Sequence, residues 1–201
     1  MRLIQPVFEK LVLREARIKA FRELSFLFYI ATKILFVRRV LIITLKNNFL
    51  SSALVVICLV EKIGNPHLKL PPVIHIAGTN GKGSTLSYLR YILMENKLKV
   101  HAYISPHLKI FNERIILAND EIKTQKLIKT LEFIKKINNK NPITFFEITT
   151  AAAFYLFSNQ KADFLILETG LGGRLDATNI IKNSFIDIIT PIGIDHQEFL
   201  G

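Results

Sequence analysis

The apolar and polar positions of the chain change character near residue 61. Before it, apolar and basic residues are mixed without a clean period or stop signal. After it, short apolar runs alternate with longer stretches of helical spacing. VIHIA, residues 73–77, is bounded by Gly78 and reads as a buried parallel strand. Residues 84–96 follow, with Leu86, Leu89, Tyr91, Ile92 and Leu93 at helical spacing. KVHAYI at 99–104 reads as the next strand, and 114–118 as a further short one turned by Asn119-Asp120. Helices are expected at about 121–137, with Ile122, Leu127, Leu131 and Ile134 in register, and at about 146–157. FLILE at 164–168 and FIDIIT at 185–190 complete the pattern. Strands alternating with helices imply βαβ units. The expected fold is therefore α/β, a mostly parallel sheet with helices on both faces.

Residues 1–60 do not share this pattern, and we expect them to form a divergent basic and apolar segment that packs poorly on a domain running from 61 to 201. The longest uncharged apolar stretch near the N-terminus, 47–60, is short of the ~18–20 residues that span a membrane. No compact apolar region is followed by a small-residue cleavage site, so a signal peptide is not expected. The net charge of +11 invites a nucleic-acid reading, but residues 1–50 hold ten Lys or Arg against three Asp or Glu. The excess thus sits outside the expected fold rather than on a binding face, and a nucleic-acid partner is not expected. Cys58 is the single cysteine, which excludes an intrachain disulfide and suits a reducing cytoplasm.

The strongest chemical signal is a strand, a glycine-rich loop and a helix in succession. The loop is Gly78, Thr79, Asn80, Gly81, Lys82, Gly83 and Ser84. Glycines let backbone N–H groups close around an oxyanion, the helix start adds partial positive charge, and Lys82 supplies a full charge to the β- and γ-phosphates of ATP. The strict pattern G-x-x-x-x-G-K-[ST] is not met: Ile76 stands at the first glycine and Gly83 follows the lysine. Glu168 ends an apolar strand, where a nucleotide enzyme keeps a Mg²⁺ ligand. Asp195 and His196 follow the strand at 185–190, and Ser105 ends the strand at 99–104. A lone histidine is more often structural than a ligand. The convergence of several strand ends on one sheet edge weighs more than any one of them.

At these residues a resemblance emerges. HIAGTNGKGS, YISPHLKIFNERI, TFFEITTAAAF, LETGLGGRLDATNII and IGIDHQEFLG resemble the successive N-terminal motifs of folylpolyglutamate synthase and dihydrofolate synthase, members of the Mur ligase superfamily. The resemblance runs from about residue 61 to 201 and implies a P-loop-type domain like the Mur ligase central domain. It implies that the loop from Gly78 to Ser84 holds ATP and that Ser105, Glu168 and His196 ligate Mg²⁺. It implies pteroate contacts from Thr144, Phe145, Phe146 and Glu147, and from Leu175, Asp176 and Ala177, with Arg174 near the phosphates. Implied substrates are a folate (tetrahydrofolate or dihydropteroate) and L-glutamate, joined through an acyl phosphate by a protein that is usually monomeric.

Two departures shape the expectation. The chain stops at Gly201, before the lysine-bearing helix and the C-terminal domain of such enzymes. An incomplete domain, binding ATP but turning over slowly or not at all, is therefore expected. The rival reading is a non-catalytic nucleotide-binding remnant.

Overall fold

The computed structural model describes residues 51–197. The first helix, α1 (Ser52–Lys62), starts at Ser51, whose hydroxyl accepts the Leu54 N–H at 3.3 Å. This satisfies one of the orphan donors of the first turn. Val56, Leu59 and Val60, at helical spacing, are buried. They join a core with residues of the last helix. Helix α1 thus runs across the boundary expected between residues 60 and 61. The expectation for residues 1–50 lies outside the described residues.

The strands are β1 (Val73–Ala77), β2 (Val100–Tyr103), β3 (Ile115–Leu117), β4 (Asp120–Glu121), β5 (Phe164–Glu168) and β6 (Ile186–Ile189). The helices after α1 are α2 (Lys82–Glu95), α3 (Thr124–Asn138) and α4 (Phe145–Ser158). The sheet order is β4-β3-β2-β5-β1-β6. The pairs β2–β5, β5–β1 and β1–β6 are parallel, while β3 runs antiparallel to β2 and to β4. This is the expected α/β class with a mostly parallel sheet. The helix expected from residue 121 starts at Thr124 instead, because Asp120 and Glu121 pair with Leu117 and Ile116.

Alternation along the strands sorts the core into two layers. Val73, Tyr103, Leu165 and Leu167 pack with α1, α3 and α4. Ile74, Ile76, Ala102 and Ile166 pack with Leu86 of α2. Tyr91 and Ile92 of α2 face outward, each 58% exposed. Among the described residues, no helix is long and apolar enough to cross a membrane.

Two buried polar side chains in this core are satisfied. The Tyr103 hydroxyl lies 3.2 and 3.0 Å from the hydroxyls of Thr149 and Thr150. His101 is fully buried. Its Nε2 lies 2.9 Å from the Gln160 carbonyl, so it carries the proton, and its Nδ1 accepts the Ala118 N–H at 3.0 Å. This fixes a neutral ring, and burial holds its pKa below 6.5. Burial likewise lowers the pKa of His75, against the opposing charges of Asp176 and Asp187. The unfolded chain therefore takes up protons near pH 6.5 that the folded chain refuses. Stability should fall as pH drops below about 6.5 and stop falling only below the folded-state values. Thermal unfolding midpoints between pH 7.5 and 5.5 check this. A flat profile, or one that rises toward acid, would contradict it.

Candidate nucleotide-binding site

The loop between β1 and α2 is shaped by its neighbours. Gly78 has φ of 136° and Gly81, the cap of α2, has φ of 82°, both in the region that favours glycine. Lys82 is the first residue of α2, and its ammonium donates to the carbonyls of Gly78 (2.8 Å) and Thr79 (3.4 Å). The chain after β6 braces the other side. The Pro191 carbonyl accepts the N–H groups of Thr79 and Asn80 at 3.1 and 3.3 Å. The Thr79 hydroxyl donates to the Gly193 carbonyl at 3.1 Å and accepts the Gly193 N–H at 3.0 Å. No side chain caps α2 and no acid occupies its first turn. That leaves first-turn N–H groups and positive dipole for an anion.

Beside the loop, β2 and β5 end together. Glu168 stands opposite Ile76 in register and is only 4% exposed. One of its oxygens accepts the Ser105 N–H at 3.0 Å. The other faces the start of α2, since a Cβ on Gly83 would lie 3.7 Å from it. Burial raises the Glu168 pKa, and the Ser105 N–H, Lys82 and Arg114 pull against it. The Ser105 hydroxyl is buried with no partner. An orphaned hydroxyl next to a carboxylate is an oxygen donor set suited to a hard divalent cation.

The third expected metal ligand comes from the segment that follows β6. His196 lies seven residues beyond the end of β6, with φ of 50° and a half-exposed side chain. Its N–H donates to Asp195 at 2.8 Å, and its Nε2 lies 3.7 Å from the same carboxylate. Among the described residues, no three His, Cys, Asp or Glu side chains group to hold a metal ion.

The two expected pteroate stretches meet at Gly170. Thr144 and Glu147 form a capping box on α4: the Thr144 hydroxyl accepts the Glu147 N–H at 3.2 Å, and the Glu147 carboxylate accepts the Thr144 N–H at 2.7 Å. Phe145 is 62% exposed, and its ring lies 5.2 Å from that of Phe111. Phe146 closes over Gly170, where a Cβ would come within 2.6 Å of its ring. Asp176 organises the second stretch. One oxygen accepts the N–H groups of Gly170 (2.9 Å) and Leu171 (3.2 Å). The other accepts the Thr178 N–H (2.9 Å) and hydroxyl (2.6 Å). With the Thr178 proton spent there, His75 Nε2 must donate to that hydroxyl at 2.9 Å. Ala177 is fully buried, Leu175 is partly exposed, and Arg174 is exposed. His107, which follows Ser105 and Pro106 past the strand end, and Phe111 and Arg114 lie within the stretch SPHLKIFNER that carried the resemblance.

A lysine-bearing glycine loop between strand and helix, with a buried carboxylate ending the adjacent parallel strand, defines a P-loop-type nucleotide-binding domain. No family model matches the chain. It is 45% identical over 141 residues to a dihydrofolate synthase/folylpolyglutamate synthase of Haemophilus influenzae, covering 70% of this chain and 32% of that protein. It is 37% identical to a dihydrofolate synthetase of Saccharomyces cerevisiae, covering 71% and 34%. Its fold matches Escherichia coli FolC in complex with ADP, with a TM-score of 0.68 and 38% identity over 73% of this chain and 35% of that one. A folylpolyglutamate synthase of Thermotoga maritima matches with a TM-score of 0.65 and 40% identity, covering 70% and 34%. Over the matched residues, the chain is similar in sequence and fold to members of the dihydrofolate synthase/folylpolyglutamate synthase family. It spans about a third of the length of the curated relatives it matches.

Proposed function

We propose that the chain carries the nucleotide-binding part of an ATP-dependent ligase that joins L-glutamate to a folate carboxylate. One observation carries the reading: the orphaned Ser105 hydroxyl and the Glu168 carboxylate sit together beside the Lys82 loop. The loop from Gly78 to Ser84 holds the ATP phosphates. Ser105, Glu168 and His196 are the proposed Mg²⁺ ligands. Mg²⁺, when bound, neutralises charge on the phosphoryl oxygens. Solved relatives with ADP, and with Mn, AMPPNP and L-glutamate, support a nucleotide and a divalent cation here.

In the proposed reaction, a substrate carboxylate oxygen attacks the γ-phosphorus and the bond to ADP breaks, giving an acyl phosphate. The glutamate amine then attacks the acyl carbon, loses a proton, and phosphate leaves. Lys82 and the first-turn N–H groups of α2 stabilise charge on the transferring group, and no side chain serves as covalent nucleophile. Phe145, Phe146 and the residue 170–178 loop form the proposed pteroyl wall. Because Asp176 spends its carboxylate inside that loop, its part is to shape it.

The acceptor proposed first is tetrahydrofolate, as in folylpolyglutamate synthesis. Dihydropteroate is the second reading, favoured by the yeast relatives named dihydrofolate synthetase. We place the protein, as a monomer, in a reducing cytoplasm where the exposed thiol of Cys58 stays free. The test is equilibrium binding by the purified chain of ATP with and without Mg²⁺, and of each pteroyl acceptor. The reading expects Mg²⁺-dependent ATP binding and binding of at least one acceptor. ATP binding with neither acceptor would favour a nucleotide-binding remnant, and no ATP binding would sink the reading.

A further inference from the structure

Arg114 immediately precedes β3, a strand that runs against its neighbours. β3 is antiparallel to β2, with Ile115 opposite Tyr103, so the start of β3 meets the edge where β2 ends. The Arg114 carbonyl accepts the Ile104 N–H at 2.9 Å, one residue before Ser105. Its guanidinium is held in two ways. Nε donates to His107 Nδ1 at 3.0 Å, and the central carbon lies 5.3 Å from the Phe111 ring centroid. The neighbouring Glu113 is engaged by the N–H groups of Leu108, Lys109 and Ile110. Among the described residues, no acceptor pairs with the two terminal nitrogens of Arg114. An oriented, unpaired guanidinium is a site for a planar oxyanion.

The surroundings select which anion. Phe111 lies between Arg114 and Phe145, its ring 5.2 Å from the latter. An aryl group packed against these two edge-to-face rings would bring a carboxylate borne on that aryl group to the guanidinium. The charge of Arg114 also reaches Glu168, so such a carboxylate would lie near the proposed metal ligands.

We infer that Arg114 binds the acceptor carboxylate of an aryl-acid pteroyl substrate through its terminal nitrogens, with His107 as the positioning residue. The inference rests on the folate reading and concerns its second acceptor, dihydropteroate, whose carboxylate is borne directly on the aryl ring. Binding there offsets the repulsion between a carboxylate and the ATP phosphates and holds the attacking oxygen in place.

The test titrates the purified chain with dihydropteroate and with its neutral carboxamide, following intrinsic ligand fluorescence, with Mg-ATP titrated in parallel. A charge-assisted contact of this kind contributes about 1.5–3 kcal/mol, so Arg114→Gln should weaken dihydropteroate binding roughly 10–100-fold. Carboxamide and Mg-ATP affinities should stay within about twofold of the parent, the scatter of a surface substitution. Arg114→Lys should recover part of the loss, since it keeps the charge but not the fork. His107→Ala should weaken the acid selectively and less than Arg114→Gln does. Equal losses for acid and carboxamide would mark a structural role and overturn the inference, as would no loss at all. A parent chain that binds acid and carboxamide alike also overturns it. A parent that binds Mg-ATP but neither pteroyl ligand would remove the folate reading and the inference together, leaving the nucleotide site standing.

Discussion

Lys82→Ala should weaken Mg-ATP binding by about 10–100-fold, the loss expected when a charged donor to phosphate is removed. The reason lies in the electrostatics of the loop. Gly78 and Thr79 present carbonyls to the ammonium, so the loop holds Lys82 over its own mouth. Two N–H groups of the loop, those of Thr79 and Asn80, are engaged by Pro191. Lys82 and the first turn of α2 are left as the main sources of positive potential. The folded state should survive the change, because both carbonyls are partly exposed and can take water. Calorimetric titration beside a thermal melt separates the two effects. Unchanged ATP affinity would mean that the phosphates bind elsewhere.

Gly78→Ala should destabilise the domain by roughly 2–5 kcal/mol, combining overpacking with a strained backbone at positive φ. An added Cβ would stand 2.2 Å from the Thr190 hydroxyl oxygen and 2.8 Å from the Thr190 carbonyl oxygen. The hydroxyl could rotate away. The backbone oxygen cannot without pulling on β6, because the Thr190 N–H donates to the Ala77 carbonyl at 2.8 Å. The clash therefore loosens the segment that braces Thr79. Denaturant unfolding of the variant measures the cost, and a loss below about 0.5 kcal/mol, the range of an ordinary surface change, would contradict the packing seen here.

Much of the fold was legible because its strands are buried and parallel. VIHIA and FLILE coincide with β1 and β5 residue for residue, since a continuous apolar run bounded by Gly78 or closed by Glu168 has few other readings. Helix α1 was not placed. Its sequence is apolar nearly all round, so Val56, Leu59 and Val60 are distinguished as a face only by the partner they meet. Asp120 and Glu121 form a strand too short to have a period.

The candidate site was legible through one topological rule, and it ends where that rule ends. Carboxyl ends of parallel strands share an edge, which brings Ser105 and Glu168 together beside the glycine-rich loop. Arg114 reaches the same edge from the amino end of an antiparallel strand, and nothing in the local sequence gives that direction. His196 lies farther from a strand end than Ser105 and Glu168, in the segment seven residues past β6. Thr144, Glu147 and Asp176 show a different limit. Their side chains are engaged in capping and loop closure, which a motif cannot distinguish from contact with a ligand.

The central claim is that these residues form the nucleotide and pteroyl sites of a folate ligase. Hydrogen–deuterium exchange on the purified chain, with and without Mg²⁺-AMPPNP and a pteroyl acceptor, tests it most directly. The account predicts slowed exchange at residues 78–85 and 104–105 with nucleotide, and at residues 107–114, 145–148 and 169–178 once the acceptor is added. Exchange unchanged in those segments at saturating ligand, or slowed only elsewhere in the chain, would contradict it.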